Sequence, residues 1–416
     1  MSSDARSEQR ALALAPERQH RRALRLFLVA GEHSGDALGA KLIAALRAGH
    51  SGAGHRGPIT FAGVGGEHMQ AEGFDSLFPM SDVVVMGPIA ILKRLRPIVR
   101  RVYQTVDAGV AFAPDAVVII DSPEFTHPIA KRIRKRQPSI PIIDYVSPTV
   151  WAWRPGRARA MRPYVDHILA LLPFEPAAHA SLGGPACSYV GHPLIERSQW
   201  LDALDPAPLG NRLGLPHGAP IIVVLPGSRR SEVARLLQPF ADTVAALHVR
   251  HPDLHVLLPV VSHLEAEITR AVATWRAPVH VVAGEDDKWR CFKLARAALA
   301  ASGTVTLELA LAGVPMAVAY KVEPLAAPFL RRMIKAPSTV LPNLVLGGNA
   351  FPEFHQEACT PERLASALDP LLGDTDARRD QLAALARIRP LLLLDHGTPS
   401  DRAAAIVLDY AQRARG

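Results

Sequence analysis

"AALAASGTVTLELALAGVPMAVAY", residues 297–320, holds a single charged side chain, Glu308. Such a run is either a membrane span or the buried middle of an α/β sheet. A spanning helix needs about 20 apolar residues in a row. Here Ser302-Gly303-Thr304 interrupts the run and Gly313-Val314-Pro315 interrupts it again. The pieces read as a strand, a helix and a second strand, all buried in a parallel sheet that is covered on both faces. That makes the chain an α/β protein.

The same alternation extends in both directions. Candidate strands in the first half are residues 25–29, 59–64, 116–120, 140–145 and 167–171. The second half offers 221–225, 255–259, 279–282, 297–301 and 316–320. Strands that alternate with helical segments predict parallel, doubly wound sheets. At roughly 100–200 residues per domain, 416 residues suggest two or three domains. A break near residues 190–215, rich in Pro and Gly, separates the two groups. The expectation is two doubly wound, Rossmann-like domains facing a cleft, at residues 24–192 and 193–399. A final helix at 400–416 could pack back onto the first. Ligands in such folds bind beyond the carboxyl ends of the strands.

Residues 1–23 are charged, with a short apolar island at Ala11–Ala15 and no signal-peptide core. They read as a disordered extension. Cys187, Cys291 and Cys359 are far apart and fit neither a disulfide framework nor a metal spacing, which suggests a reducing compartment. The net charge is +8 and the pI about 9.7. Two basic clusters stand out. Lys131, Arg132, Arg134, Lys135 and Arg136 read as a solvated helix face. Lys93, Arg94, Arg96, Arg100 and Arg101 are interleaved with Ile89, Ile91, Leu92, Leu95, Ile98 and Val99. That mixture, over residues 86–101, suits a helix lying on an anionic membrane. No nucleic-acid recognition module is present, and aromatics at 6% are too few for a stacking surface, so no nucleic acid is expected as partner.

Two strand ends point to a phosphorylated nucleoside. In "IIVVLPGSRRSEV", residues 221–233, an apolar strand runs into Gly227 and Ser228, with Arg229 where a helix begins. Free N–H groups, the helix dipole and a guanidinium would converge there on one anion. In residues 301–320, Ser302, Gly303 and Thr304 start the second helix, and Glu308 lies one turn further on the same face. A carboxylate there can accept both hydroxyls of a ribose, and if buried it needs a partner. Asn343, in "LPN" at 341–343, supplies an amide that could cap the same pocket.

The other domain supplies acid. "LVAGEHSGDALGAKL", residues 28–42, has the outline of a dinucleotide-binding turn, but its glycines are spaced by four and Glu32 and Asp36 sit in it. Such a turn is a poor cradle for pyrophosphate and suits sugar hydroxyls or a cationic centre. In "VVIIDSPEF", residues 117–125, Asp121 ends a buried strand. Burial, or a neighbouring acid such as Glu32 or Glu124, would make it a better general base. The nearest match to the D-x-D of metal-dependent sugar transferases is Glu285-Asp286-Asp287, which reads as a solvated turn. No metal and no cofactor are expected.

With these segments in hand the chain resembles the lipid-A-disaccharide synthases, from about Arg25 to its end. The resemblance is carried by "LVAGEHSGDALGAKL", "MQAEGFDSLF", "VVVMG", "IIDSPEF", "YVSPTVWAWRPGR", "LPFE", "YVGHPL", "LPGSRRSEV", "ASGTVTLELALAGVPMAVAY" and "LPNLVLG". It implies a GT-B fold. The implied reaction is inverting transfer of 2,3-diacylglucosamine from UDP to the 6-hydroxyl of 2,3-diacylglucosamine 1-phosphate. It also implies a cytoplasmic enzyme, peripheral on the inner membrane of a Gram-negative bacterium and often a homodimer with exchanged C-terminal segments. By the same resemblance Asp121 is the general base, and Arg229, Glu308 and Asn343 belong to the UDP site. Glu32, Ser34 and Asp36 match a loop that lines the reaction centre. The chain departs from the family pattern at Thr126, where Asn is usual, and at Glu67, where Pro is common. Two other functions fit the residues alone: another UDP-sugar enzyme of this fold, such as an epimerase or a lipid-linked sugar transferase, or a membrane-bound UDP-sugar sensor that would not need Asp121.

Overall fold

The computed structural model describes residues 23–52, 58–84, 88–323 and 336–415, with the backbone alone at 51–52 and 88–94. Most of the extension at 1–23, and residues 86–87 of the basic stretch, lie outside the described residues.

Twelve strands are described, in two sheets. The first has the order β2-β1-β3-β4-β5-β6 and the second the order β12-β11-β10-β7-β8-β9. Strands β1 to β6 are Leu24–Ala30, Ile59–Val64, Ala116–Ile120, Ile142–Tyr145, His167–Ala170 and Ala186–Tyr189. Strands β7 to β12 are Ile221–Leu225, His255–Val260, Val279–Ala283, Ala297–Ala301, Met316–Tyr320 and Glu353–His355. The neighbours β1 and β2, β1 and β3, β7 and β8, and β7 and β10 all run parallel. β3, β7 and β10 are buried at every residue, as expected of apolar strands covered on both faces. Residues 297–320 resolve into β10, the helix Val305–Leu311 and β11. Among the described residues no helix is long and apolar enough to cross a membrane.

In both sheets the strand order reverses at one point, between β1 and β3 and between β7 and β10. At such a point the connections leave to opposite sides and a crevice opens beyond the strand ends. Ala30 pairs with Ile120 at the first reversal, so Gly31 and Asp121 emerge side by side. Ala300 pairs with Leu225 at the second, so the turn at 226–229 adjoins the turn at 302–304.

The chain divides into two compact units. One ends at Ile143 and takes up the chain again at Ala403, and the other is Asp144–Arg402. The break read at 190–215 lies inside the second unit, where it forms the turn Pro193–Arg197 and the helices Ser198–Ala203 and Ala207–Arg212. His192 accepts the Leu194 N–H through Nδ1 at 3.3 Å, and burial pushes its imidazole down to about 4. It orders that turn as a neutral ring. The last helix, Pro399–Arg413, buries the stripe Ala404, Val407, Leu408 and Ala411. Arg415, beyond it, pairs with Asp115 at 3.4 Å and donates to the Ala23 carbonyl at 3.0 Å.

Candidate active site

The first unit presents its acids where β1 and β3 end. Asp121 and Ser122 are both left-handed, with φ of 54° and 47°. Non-glycine residues in that region cost about 1–3 kcal/mol each and persist only where their surroundings hold them. Three features hold this turn. The buried Thr126 hydroxyl donates to the carbonyls of Asp121 at 2.9 Å and Ser122 at 3.1 Å. A Cβ on Gly31 would come within 2.8 Å of the Ser122 side chain, and one on Gly35 within 2.9 Å of the Ile120 carbonyl. The glycines spaced by four therefore let the helix His33–Gly52 sit against the end of β3. Thr126, noted as a departure in sequence, acts on the backbone of Asp121.

The Asp121 carboxylate is fixed at both oxygens. Oδ1 accepts the Ser122 N–H at 2.7 Å, and Oδ2 accepts the Ser34 hydroxyl at 2.6 Å. A general base needs a set orientation before it can meet a substrate hydroxyl. Glu32 is exposed just beyond β1.

Asp36 departs from the expectation. It is buried rather than lining the turn. It accepts the N–H groups of Gly66 at 2.7 Å, His68 at 2.9 Å and Met69 at 3.1 Å, and the His68 ring lies at 3.0 Å. Burial works to raise its carboxyl, but these bonds outweigh burial and hold it below the ordinary value. Its carboxylate binds the start of the helix Glu67–Ala71, with both oxygens taken by backbone N–H groups.

In the second unit the turns after β7 and β10 line one cavity of about 710 Å³. Gly227, Ser228, Arg229, Ser302, Gly303, Thr304 and Glu308 all border it. Arg229 is the N-cap of the helix Arg230–Arg250, and Thr304 that of the helix Val305–Leu311. Ser302 donates to the Thr339 carbonyl at 2.7 Å, which fixes the second turn.

Three charged residues that border the cavity were not assigned to it from the sequence. Glu232 accepts the N–H groups of Ser228 at 3.2 Å and Arg229 at 3.3 Å, and its other oxygen meets the Arg229 guanidinium at 2.8 Å. A carboxylate thus occupies the donors expected to hold phosphate. The spacing of Glu232, three residues after the N-cap, is a capping-box signal that could have revealed it. Glu285 and Lys288 are the others. Glu285-Asp286-Asp287 opens the helix Glu285–Leu294 rather than forming a turn, with Glu285 and Asp286 exposed. Glu285 pairs with Arg197 at 3.1 Å and Lys288 at 2.9 Å, and Asp287 pairs with Arg212 and with Arg290 at 2.7 Å.

Asn343 does not join this cavity. It is buried in the helix Leu341–Leu346, gives Nδ2 to the Phe351 carbonyl at 2.9 Å and takes the Phe351 N–H at 3.0 Å. Its amide is spent on closing that loop, which corrects the capping role expected of it. Elsewhere in the unit, Trp151 donates to the buried Glu175 at 3.1 Å. Arg154 lies over the Trp153 ring at 4.3 Å.

A family model described as lipid-A-disaccharide synthetase matches residues 26–396. The chain belongs to the lipid-A-disaccharide synthase family. The lipid-A-disaccharide synthase of Nitrobacter winogradskyi is 51% identical over 393 residues, covering 94% of this chain and 96% of the relative. That of Rhodopseudomonas palustris strain CGA009 is 50% identical over 389 residues, covering 94% and 97%. Among solved structures, UDP-GlcNAc 2-epimerase from Neisseria meningitidis bound to UDP-GlcNAc aligns with a TM-score of 0.63 at 12% identity, over 94% of this chain and 100% of that one. MurG from Acinetobacter baumannii aligns with a TM-score of 0.54 at 15% identity, over 93% and 99%. Those two likenesses speak for the fold, which is GT-B. As a lipid-A-disaccharide synthase the chain is a glycosyltransferase of lipid A biosynthesis that uses a sugar nucleotide.

Proposed function

We propose that this enzyme moves 2,3-diacylglucosamine from UDP to the 6-hydroxyl of 2,3-diacylglucosamine 1-phosphate, giving lipid A disaccharide 1-phosphate and UDP. Asp121 takes the proton from the 6-hydroxyl. The freed oxygen attacks the anomeric carbon from the face opposite the UDP, which leaves with the bonding electron pair, so the configuration inverts. The Ser302–Thr304 turn holds the diphosphate together with the Gly227–Arg229 turn, whose N–H groups and guanidinium exchange Glu232 for the phosphate when the nucleotide binds, and Glu308 holds the ribose. The observation that carries this assignment is the Asp121 carboxylate, held between Ser34 and the Ser122 N–H on a strained turn beyond β3.

Two lipid substrates call for a membrane-facing surface, and the helix Pro88–Phe112 fits that need. Leu95, Val99 and Tyr103, one turn apart, are exposed large apolar side chains. Arg96, Arg100 and Arg101 border a neighbouring cavity of about 610 Å³, which Asp82, paired with Arg101 at 3.0 Å, also lines. An apolar stripe beside a basic one is how a helix lies on an anionic bilayer. This surface supports a location at the cytoplasmic face of the inner membrane. An epimerase would need the nucleotide cavity but not this stripe.

The test is a product assay. Purified protein is mixed with UDP-diacylglucosamine and diacylglucosamine 1-phosphate in detergent, and mass spectrometry looks for the tetraacyl disaccharide 1-phosphate. The disaccharide is expected with and without a chelator. Intact UDP binding without this product would refute the acceptor assignment.

A further inference from the structure

Glu308 borders the nucleotide cavity, and its surroundings are set by a helix to which the reaction above gives no role. Lys288 lies one turn into the helix Glu285–Leu294. Its ammonium is 3.0 Å from Glu308 Oε2 and 2.9 Å from Glu285 Oε2. The two side chains are 21% and 17% exposed, Lys288 and Glu308 respectively, so water screens the pair poorly. Glu285 also binds Arg197 Nη1 at 3.1 Å and the Trp289 indole at 2.9 Å through Oε1, the oxygen that does not meet Lys288. Arg197 in turn lies over the Trp200 ring at 4.3 Å. Of the cations that face Glu308, Lys288 is therefore the one in contact with it among the described residues.

We propose that Lys288 is a positioning residue for the sugar nucleotide: its ammonium pins Glu308 Oε2 to the cavity wall, so that the carboxylate meets the ribose hydroxyls in one orientation. This rests on the nucleotide assignment above. A buried carboxylate without a counter-charge takes up a proton. It then loses an acceptor site and the charge that strengthens its bonds to hydroxyls. Burial pushes Glu308 above the ordinary carboxyl value; Lys288 opposes that push, Glu285 adds to it and Arg197 opposes it from further away. Lys288 acts through Glu308, so its removal has a signature that a direct phosphate contact would lack.

The experiment is calorimetric titration of UDP into the full chain between pH 5.5 and 8.5. The proteins are the parent, Lys288→Met, Lys288→Arg, Glu308→Gln and the Lys288→Met/Glu308→Gln double variant. Lys288→Met should weaken UDP about tenfold at pH 7.5, within the range of one charge-assisted hydrogen bond. Its affinity should then fall further toward acid pH than the parent's, because Glu308 takes its proton at a higher pH. Lys288→Arg should restore binding, and the double variant should bind no worse than Glu308→Gln. Losses that add in the double variant, or a Lys288→Met profile parallel to the parent's, would overturn the proposal. If Lys288→Met unfolds, Lys288→Gln replaces it under the same criteria. A parent chain that binds no UDP would instead remove the nucleotide assignment, and this inference with it.

Discussion

Replacing Asp36 with Ala separates its structural role from the catalytic one expected of an acid beside the reaction centre. The side chain accepts three backbone N–H groups, from Gly66, His68 and Met69, and the His68 ring. A hydrogen bond to a charged group contributes about 1.5–3 kcal/mol. The Gly66 and Met69 bonds are buried, whereas water can reach His68 and recover part of that loss. Asp36→Ala should then cost roughly 3–5 kcal/mol at the start of the helix Glu67–Ala71. At about 1.4 kcal/mol per tenfold, amide exchange there should quicken at least a hundredfold. Hydrogen exchange read by mass spectrometry on a peptide covering residues 64–72 measures this directly, without assuming that two units unfold together. The contribution also has a pH signature. Because the folded carboxyl is held below its ordinary value, the protection is present above pH ~4 and fades as the pH falls through the lowered value. Exchange at the parent rate in Asp36→Ala, with activity lost, would refute this account and return Asp36 to the chemistry.

Asp121→Ala should lower turnover by about 10²–10⁴-fold while UDP binding stays intact, and unchanged turnover in the product assay would remove it from the mechanism. Arg229→Ala should weaken UDP by about ten- to a hundredfold in calorimetry, and equal affinity would overturn the phosphate assignment. Glu175 is buried, and burial lifts its carboxyl to about 7 against the bonds from the Leu172 N–H and the Trp151 indole. The folded chain thus binds a proton that the unfolded chain has released, so stability falls as the pH rises from 4.5 to 7, by on the order of 3 kcal/mol. Glu175→Gln should flatten that slope in melting curves, and a slope equal to the parent's would show that Glu175 is not its source.

What could be read in sequence was what local pattern encodes. β3, β7 and β10 are continuous apolar runs and were legible to within a residue. β6, "ACSY", and β12, "EFH", are short and partly polar, so no period marks them. The turns at 227–229 and 302–304 were legible because a glycine and a polar residue follow within three residues of each strand's end. What stayed hidden depends on partners far along the chain. Asp36 looks like a site acid until the amides of residues 66–69 arrive to meet it. Asn343 looks like a free amide until Phe351 closes on it. Lys288 sits twenty positions before Glu308, on a different helix, and nothing in either segment announces the other. The glycines at 31 and 35 gave the outline of a dinucleotide-binding turn, but what lies against them is the Ser122 side chain and the Ile120 carbonyl.

The membership of the last helix in the first unit has a consequence for synthesis. That unit ends at Ile143 and resumes at Ala403, so a ribosome must make all of Asp144–Arg402 before it is complete. At about 5–20 residues per second the delay is on the order of tens of seconds. Throughout that time Asp115, which accepts the Arg25 N–H early in the chain, waits for its pairing with Arg415. The unit that carries Asp121 is thus begun first and finished last, whereas the unit that carries the 710 Å³ cavity can close on itself in the meantime.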